Sequence, residues 1–353
     1  MARDTEPEVL ATVSAETVAK RNLPVNFDQS HLGLFEHELQ RTIPQSRLLN
    51  FKNIRVSPDG LLFNGNKILL ESFAFPHHLS EWKRRSVLKF FANNYLFRRR
   101  KRIENEVLWI TDYWSQGYFH WLSDALTRLF VVRDRVDDVT LMLPHGYEAL
   151  DFVKPSLRAF RVKNFEFIER DEVLECRSLL LPTPTAPSGH YSPEVIRGVR
   201  GVLLSAYGDL DHREGEKIYI SRRRAGKRRI VNEDEVCDVL RRFGFETICT
   251  EELSFEQQIR VCSRARYIVS NHGAGLTNTL FMKDGGSVLE LRHETDRISN
   301  CYFTLSSALN LNYFYQTCAP INHAHPHTAD LFVDPKELET NLVNLVQKNG
   351  PTN

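Results

Sequence analysis

No stretch of the 353-residue chain reaches 18 consecutive apolar residues, so nothing in it reads as a membrane-spanning helix. Its six cysteines, at 176, 237, 249, 262, 301 and 318, form no Cys-x-x-Cys pair. That spacing argues against a zinc site of the usual kind and suits reduced, buried thiols. Net charge is only +1, which excludes bulk electrostatic attraction to nucleic acid or membrane. Missing too are a Gly-x-Gly-x-x-Gly turn after the first strand, a Walker-type phosphate loop and a Gly-x-Ser-x-Gly elbow. Their absence counts against a dinucleotide dehydrogenase, a P-loop enzyme and an α/β-hydrolase. Residues 1–20 are polar and mixed in charge, without the apolar centre of a secretory leader, so a cytoplasmic chain is expected. No short internal repeat is visible.

What the chain does have is a globular composition, 42% hydrophobic and 26% charged, with material for two ordinary domains or one large one. Residues 1–30 read as a loosely ordered lead-in. Over 48–72, short apolar runs alternate with PDG and NGN turn signals, the pattern of a β-meander. The dense basic run RRRKR at 98–102 reads as a solvated face. Strands are then expected at 107–112 and 139–144, with helices at 117–132 and over YEALDFVKPSLRAF. Further strands follow in FEFIER and EVLECRSLLLP. The prolines of LPTPTAPSG (181–189) mark a loop at the lip of a cleft.

A second alternating series begins after the helical stretch SPEVIRGVRGVLLSAYG. Strands are expected in KIYIS, FETICT, RYIVS, GSVLEL and NYFYQ. A helix from Asn232 to Phe243 has Asn232 as its cap and Gly244 as its stop. Another opens on a Ser254–Gln257 capping box. Alternating strands and helices argue for parallel sheets covered on both faces, and two such series argue for two doubly wound domains with a boundary near 205–215.

Three stretches have the composition of a binding or catalytic site. NHGAGLTNT (271–279) leaves a strand and opens a helix, where glycines admit a ligand close to backbone and unpaired N–H groups favour an anion. YISRRRAGKRRIVNE (219–233) also leaves a strand, and arginine binds phosphate in bidentate fashion. No aromatic residues interleave with these arginines, so base stacking is poorly supported. Two anion-suited turns in one domain favour a nucleotide diphosphate. In GYFHWLSDALTRL (117–129), Trp121, Leu122, Ala125, Leu126 and Leu129 form the buried face. His120, Asp124 and Arg128 share one stripe at i, i+4 and i+8. They read either as a base with its orienting partner or as a surface pair contributing about 0.2–0.5 kcal/mol. Glu290, ending GSVLEL, reads as a ligand for a ribose or sugar hydroxyl or as a structural hydrogen-bond partner. The acidic clusters at 134–138 and 209–211 read as solvated acid rather than as metal ligands.

Together, GYFHWLSDAL, YISR…RRIVNEDEV and NHGAGLTNTLFM resemble glycosyltransferase family 61, over about residues 50–320. That family includes bacterial capsule-type polysaccharide enzymes, plant xylan-decorating transferases, and animal enzymes that add N-acetylglucosamine to EGF domains or O-mannose. The resemblance implies a GT-B-like α/β fold: two doubly wound, Rossmann-like domains facing a cleft, here with an N-terminal β-meander. It implies an acceptor and catalytic-base domain over 31–208 and a nucleotide-sugar domain over 209–330. A last helix in 331–353 would pack back on the first domain. The reaction implied is an inverting transfer of a sugar from a nucleotide-diphosphate sugar, UDP-sugar favoured, to a glycan hydroxyl in polysaccharide biosynthesis.

Residue by residue, it points to Asp124 and His120 as catalytic, Asp124 first as the base. Arg222, Arg228, Arg229, Asn232, His272, Gly273, Ala274, Gly275, Thr277 and Asn278 are implied at the donor, with Glu290 beside them. No metal or other cofactor is expected. The acceptor is expected to be a glycan, lipid-linked in a bacterial setting, with peripheral contact at the inner membrane face and no nucleic-acid partner. The lack of a leader or appended domain departs from the animal members and favours a bacterial enzyme. A nucleotide-sugar-binding protein without transfer activity is the alternative, and a nucleic-acid-binding protein a weaker one.

Overall fold

The computed structural model describes residues 6–83, 87–208, 216–321 and 325–347. The chain forms two compact units. The first holds the residues up to Thr17 and Ile43–Ser188; the second holds Val18–Thr42 and the chain from Gly189 onward.

The first unit is built on an 8-stranded mixed sheet. Four neighbouring strands run parallel: Glu172–Pro182, Arg99–Leu108, Thr140–Leu143 and Phe165–Phe167. The expected meander extends it through the antiparallel strands Ser46–Val56, Leu62–Asn64 and Lys67–Ile68. Residues 8–14, expected to be loosely ordered, form a strand, Glu8–Ser14, on the other part of Ser46–Val56. Its side chains are mostly exposed, so an apolar period is lacking and ladder hydrogen bonds hold it. The basic run is largely exposed, as expected of a solvated face. It opens the strand Arg99–Leu108, and its side chains meet carboxylates from distant segments. Arg99 pairs with Asp171, Lys101 with Glu166, and Arg102 with Glu175.

The helical stretch after Gly117 runs as Tyr118–His120, a π-turn Trp121–Ala125 and Leu126–Phe130. The five residues expected on its buried face, Trp121 among them, have no exposed surface. Trp121 also donates to Ser156 Oγ at 2.8 Å. A π-turn widens the ladder and loosens carbonyls. Ser123 and Thr127 hydroxyls take up those of Phe119, Ser123 and Asp124 at 2.8–3.1 Å. Trp121→Ala is expected to cost about 3–5 kcal/mol, the range for removing a fully buried large side chain. A urea titration following the first unit would read this as a lowered midpoint at unchanged slope.

The second unit carries a 6-stranded sheet in the order Glu246–Ile248, Glu216–Ile220, Ala265–Asn271, Ser287–His293, Asn312–Pro320 and Leu331–Phe332. The first five are parallel and the last antiparallel. Every residue of Ser287–His293 is buried, as suits a central parallel strand covered on both faces. The helix Glu233–Arg242 buries Val236 and Leu240 with Tyr219, Val269 and Leu289. Numbered within the unit, the parallel strands lie 2-1-3-4-5. The order reverses between Glu216–Ile220 and Ala265–Asn271, and the carboxyl ends flanking such a reversal are where open α/β sheets bind ligands.

Three boundaries differ from the expected ones. The last helix, Pro335–Gln347, expected against the first domain, buries Leu338, Leu342 and Leu345 in this unit's core. The helix Pro193–Tyr207 also belongs here, with Arg200 bonded to Asp284 and to the Met282 carbonyl. The division therefore falls at Ser188 rather than near 209. Part of the lead-in belongs here as well, with Asn26 bonding the Tyr315 carbonyl at 2.7 Å; so do Leu34 and Phe35 from the start of the expected first domain, which pack with Phe303, Tyr313 and Tyr315. The acidic triplet 209–211 lies outside the described residues. The Ser254–Gln257 capping box forms as expected.

Candidate active site

In the first unit, His120 and Asp124 are not a surface pair. His120 Nδ1 lies 2.7 Å from Asp124 Oδ2, and Asp124 is 9% exposed. Two hydroxyls add to the carboxylate: Ser188 donates to Oδ2 at 2.8 Å and Ser123 to Oδ1 at 3.2 Å. Arg128, the third member of the stripe, is buried and paired with Asp112 at 2.9 Å. It therefore anchors the helix and is not offered to solvent. Beside Asp124 opens a cavity of about 370 Å³, walled by Phe75, Pro76 and the 183–188 loop, with Asp112 and Arg128 at its lining. The proline-rich loop thus forms the lip of a cavity, as its composition implied. His120 also packs on Trp114, ring centroids 5.0 Å apart. An ionised carboxylate in this setting can accept a proton from a hydroxyl group seated in the cavity.

In the second unit, the arginine block and the glycine block converge at the reversal of strand order. Arg222 follows Glu216–Ile220, and Gly273 follows Ala265–Asn271. Ser270 Oγ ties the two strand ends by donating to the Ile220 carbonyl at 2.7 Å. Asn271 Nδ2 donates to the Arg228 carbonyl and holds the arginine loop down. Gly273 lets the guanidinium come close: a methyl group there would overlap the Arg222 guanidinium and push that flexible end aside. Its backbone is extended, so conformation is not the reason.

The arginines of the block sort themselves by partner. Arg223 pairs with Glu233 and Asp234, Arg224 with Glu252, and Arg229 with Asp330. Arg222 and Arg228 are half-buried and have no carboxylate partner among the described residues. The Nε of each is buried without a hydrogen bond. Burial, and then the neighbouring charge of Arg228, holds the Arg222 guanidinium below its usual value. Two cations without an ion-pair partner, beside the start of the 3₁₀ helix Ala274–Phe281, form a setting that an anion would stabilise.

Other residues implied at the donor have different surroundings. Arg229 is turned to Asp330 at 3.0 Å and lies outside the converging pair. Asn232 does not cap its helix; its amide is bonded in both directions to the Val333 backbone, at 2.8 and 3.1 Å. Asn278 is buried and donates to Gln258 and to the Gly275 carbonyl, a packing role. Gly275 sits against Ile220, Thr277 is buried, and Ala274 is exposed at the rim.

Glu290 takes the structural of its two readings. It is wholly buried, with His272 Nδ1 at 2.5 Å on one oxygen and the Tyr313 hydroxyl donating to the other at 2.5 Å. Burial, then the Glu290 charge, pushes the Tyr313 hydroxyl well above its usual value, so it stays a donor. This carboxylate fixes the His272 ring and leaves Nε2 for a ligand. Sequence reasoning missed Ser188, Asp112 and Tyr302. The Tyr302 hydroxyl donates to the Gly273 carbonyl at 2.6 Å. Among the described residues no group of three or more His, Cys, Asp or Glu could hold a metal ion, and no helix is long and apolar enough to cross a membrane.

The family model described as Glycosyltransferase 61 matches residues 118–289, from the helix carrying His120 and Asp124 through the glycine block. Over 102 residues the chain is 31% identical to the EGF domain-specific O-linked N-acetylglucosamine transferase of Mus musculus, covering 28% of this chain and 19% of the relative. The protein of that name in Drosophila melanogaster is 31% identical over 98 residues, 27% of this chain and 18% of its own. The Gallus gallus protein is 28% identical over 102 residues, 28% of this chain and 19% of its own. The aligned part thus spans less than a fifth of these relatives. The resemblance read from the three blocks is borne out over 118–289, where the chain is similar to glycosyltransferase family 61.

Proposed function

We propose that the protein is an inverting glycosyltransferase that moves a sugar from a nucleotide-diphosphate donor, UDP-sugar favoured, to a glycan hydroxyl. The observation that carries this reading is the Arg222–Arg228 pair: two half-buried cations without carboxylate partners, beside Gly273, at the strand-order reversal. Diphosphate is the anion that fits two converging guanidiniums and the free N–H groups of a helix start. The acceptor oxygen attacks C1 of the sugar from the face opposite the diphosphate. The C1–O bond to phosphate breaks, and the hydroxyl proton passes to Asp124. Arg222, Arg228 and the first N–H groups after Gly273 take up the charge growing on the leaving diphosphate. This positive charge supports catalysis without a metal ion. His272, oriented by Glu290, donates from Nε2 to a donor oxygen. The cavity beside Asp124 receives the acceptor.

Growth of a polysaccharide on a lipid carrier at a membrane face fits this reading. Leu88, Leu96 and Phe97, all strongly exposed on the segment before the basic strand, support such peripheral contact. The test is thermal unfolding with UDP-, GDP-, CMP- and dTDP-sugars, with and without EDTA. A donor that binds only the folded state, at 100 times its Kd, should add roughly 2.7 kcal/mol. A shift with one nucleotide class that survives EDTA supports the reading. No shift with any of them overturns it.

A further inference from the structure

We infer that Ser188 is a positioning residue for the Asp124–His120 pair. The inference rests on the reading of Asp124 and His120 as the groups that handle the acceptor proton.

Ser188 is the last residue of the proline loop. Its hydroxyl donates to Asp124 Oδ2 at 2.8 Å and lies 3.3 Å from His120 Nδ1. The same oxygen, Oδ2, faces His120 Nδ1 at 2.7 Å. Ser188 therefore fixes the carboxylate rotamer from the side opposite its own helix, while Ser123 holds Oδ1 from within it. Hydrogen bonds that donate to a carboxylate both orient it and stabilise its charge. With Asp124 fixed, His120 Nδ1 is occupied and Nε2 is the ring atom left for exchange.

The test compares Ser188→Ala and Ser188→Thr with the parent by two readouts. The first is the imidazole signals of His120 in NMR spectra of the full chain, assigned by their loss in His120→Gln. The second is kcat and donor KM in the transfer assay. Ser188→Ala is expected to displace the His120 signals. It should lower kcat by about ten- to a hundredfold, the loss of one hydrogen bond to a charged group, with donor KM unchanged. Ser188→Thr keeps the hydroxyl and should keep both readouts near the parent. Unmoved His120 signals and parent kcat in Ser188→Ala would overturn the positioning role. If the signals move as expected but the parent transfers no sugar, the positioning stands and the transferase reading fails.

Discussion

Asp124→Asn should lower turnover by about a hundred- to ten-thousandfold, the contribution of a positioned general base, while nucleotide-sugar binding stays at the parent level. The asparagine keeps the shape of the carboxylate and can still accept from Ser188 and His120. What it loses is the capacity to take a proton. The effect should therefore fall on kcat, with donor affinity by titration calorimetry unmoved, because the groups implied at the diphosphate lie in the second unit. His120→Ala belongs in the same experiment. His120 touches the Asp124 oxygen that also accepts from Ser188, so its loss should reduce turnover less than Asp124→Asn does. The reverse order, with Asp124→Asn within about tenfold of the parent, would make His120 Nε2 the base and Asp124 its orienting partner. A parent that binds the donor without transferring it would leave a nucleotide-sugar-binding protein.

The division between what could be read in the sequence and what could not follows from which interactions are local. The helix face through Trp121 and Leu129 is a period-3.6 pattern, and the two anion-suited turns are marked by residue type at strand ends. Those features need no knowledge of the rest of the chain. The arginine block is different. Five arginines in eight positions look alike by composition, and what separates Arg222 and Arg228 from the rest is where carboxylates lie. Glu252 and Asp330 reach the block from distant positions, and no spacing rule connects them. Asn232 fails as a cap for a similar reason. Its amide finds the Val333 backbone about a hundred residues away (|i−j| of 101), and a long-range partner wins over a local one worth about 1 kcal/mol. Ser188 could be placed in a cleft-forming loop, yet its bond to Asp124 spans 64 residues. The edge strand Glu8–Ser14 gave no signal because it buries little. A strand held by ladder bonds alone has no apolar period to read.

Arg222→Ala is expected to have the other large effect, a fall of about a hundred- to a thousandfold in kcat/KM for the donor, as when a charge-stabilising group is removed from a leaving oxyanion. Both kcat and KM should move, since a diphosphate carries charge in the bound donor and more as it leaves. Arg222→Lys should recover only part of the loss: the ammonium restores charge but lacks the planar fork that binds two oxygens at once. Gly273→Ala should reproduce much of the defect without touching the arginine, because the added methyl occupies the space of the guanidinium and displaces it. The control is Arg229→Ala. That side chain is exposed and spent on Asp330, a surface ion pair worth about 0–1 kcal/mol, so donor kinetics should stay within about twofold of the parent. The pattern across the four variants distinguishes a specific anion site from a diffuse basic surface. If Arg222→Ala and Arg229→Ala weaken the donor alike, as equal losses of charge, the diphosphate is held by the field of the whole block, and Gly273→Ala and Arg222→Lys, which remove no charge, should then be silent. If Gly273→Ala tracks Arg222→Ala while Arg229→Ala is silent, the diphosphate sits where one guanidinium and one glycine meet.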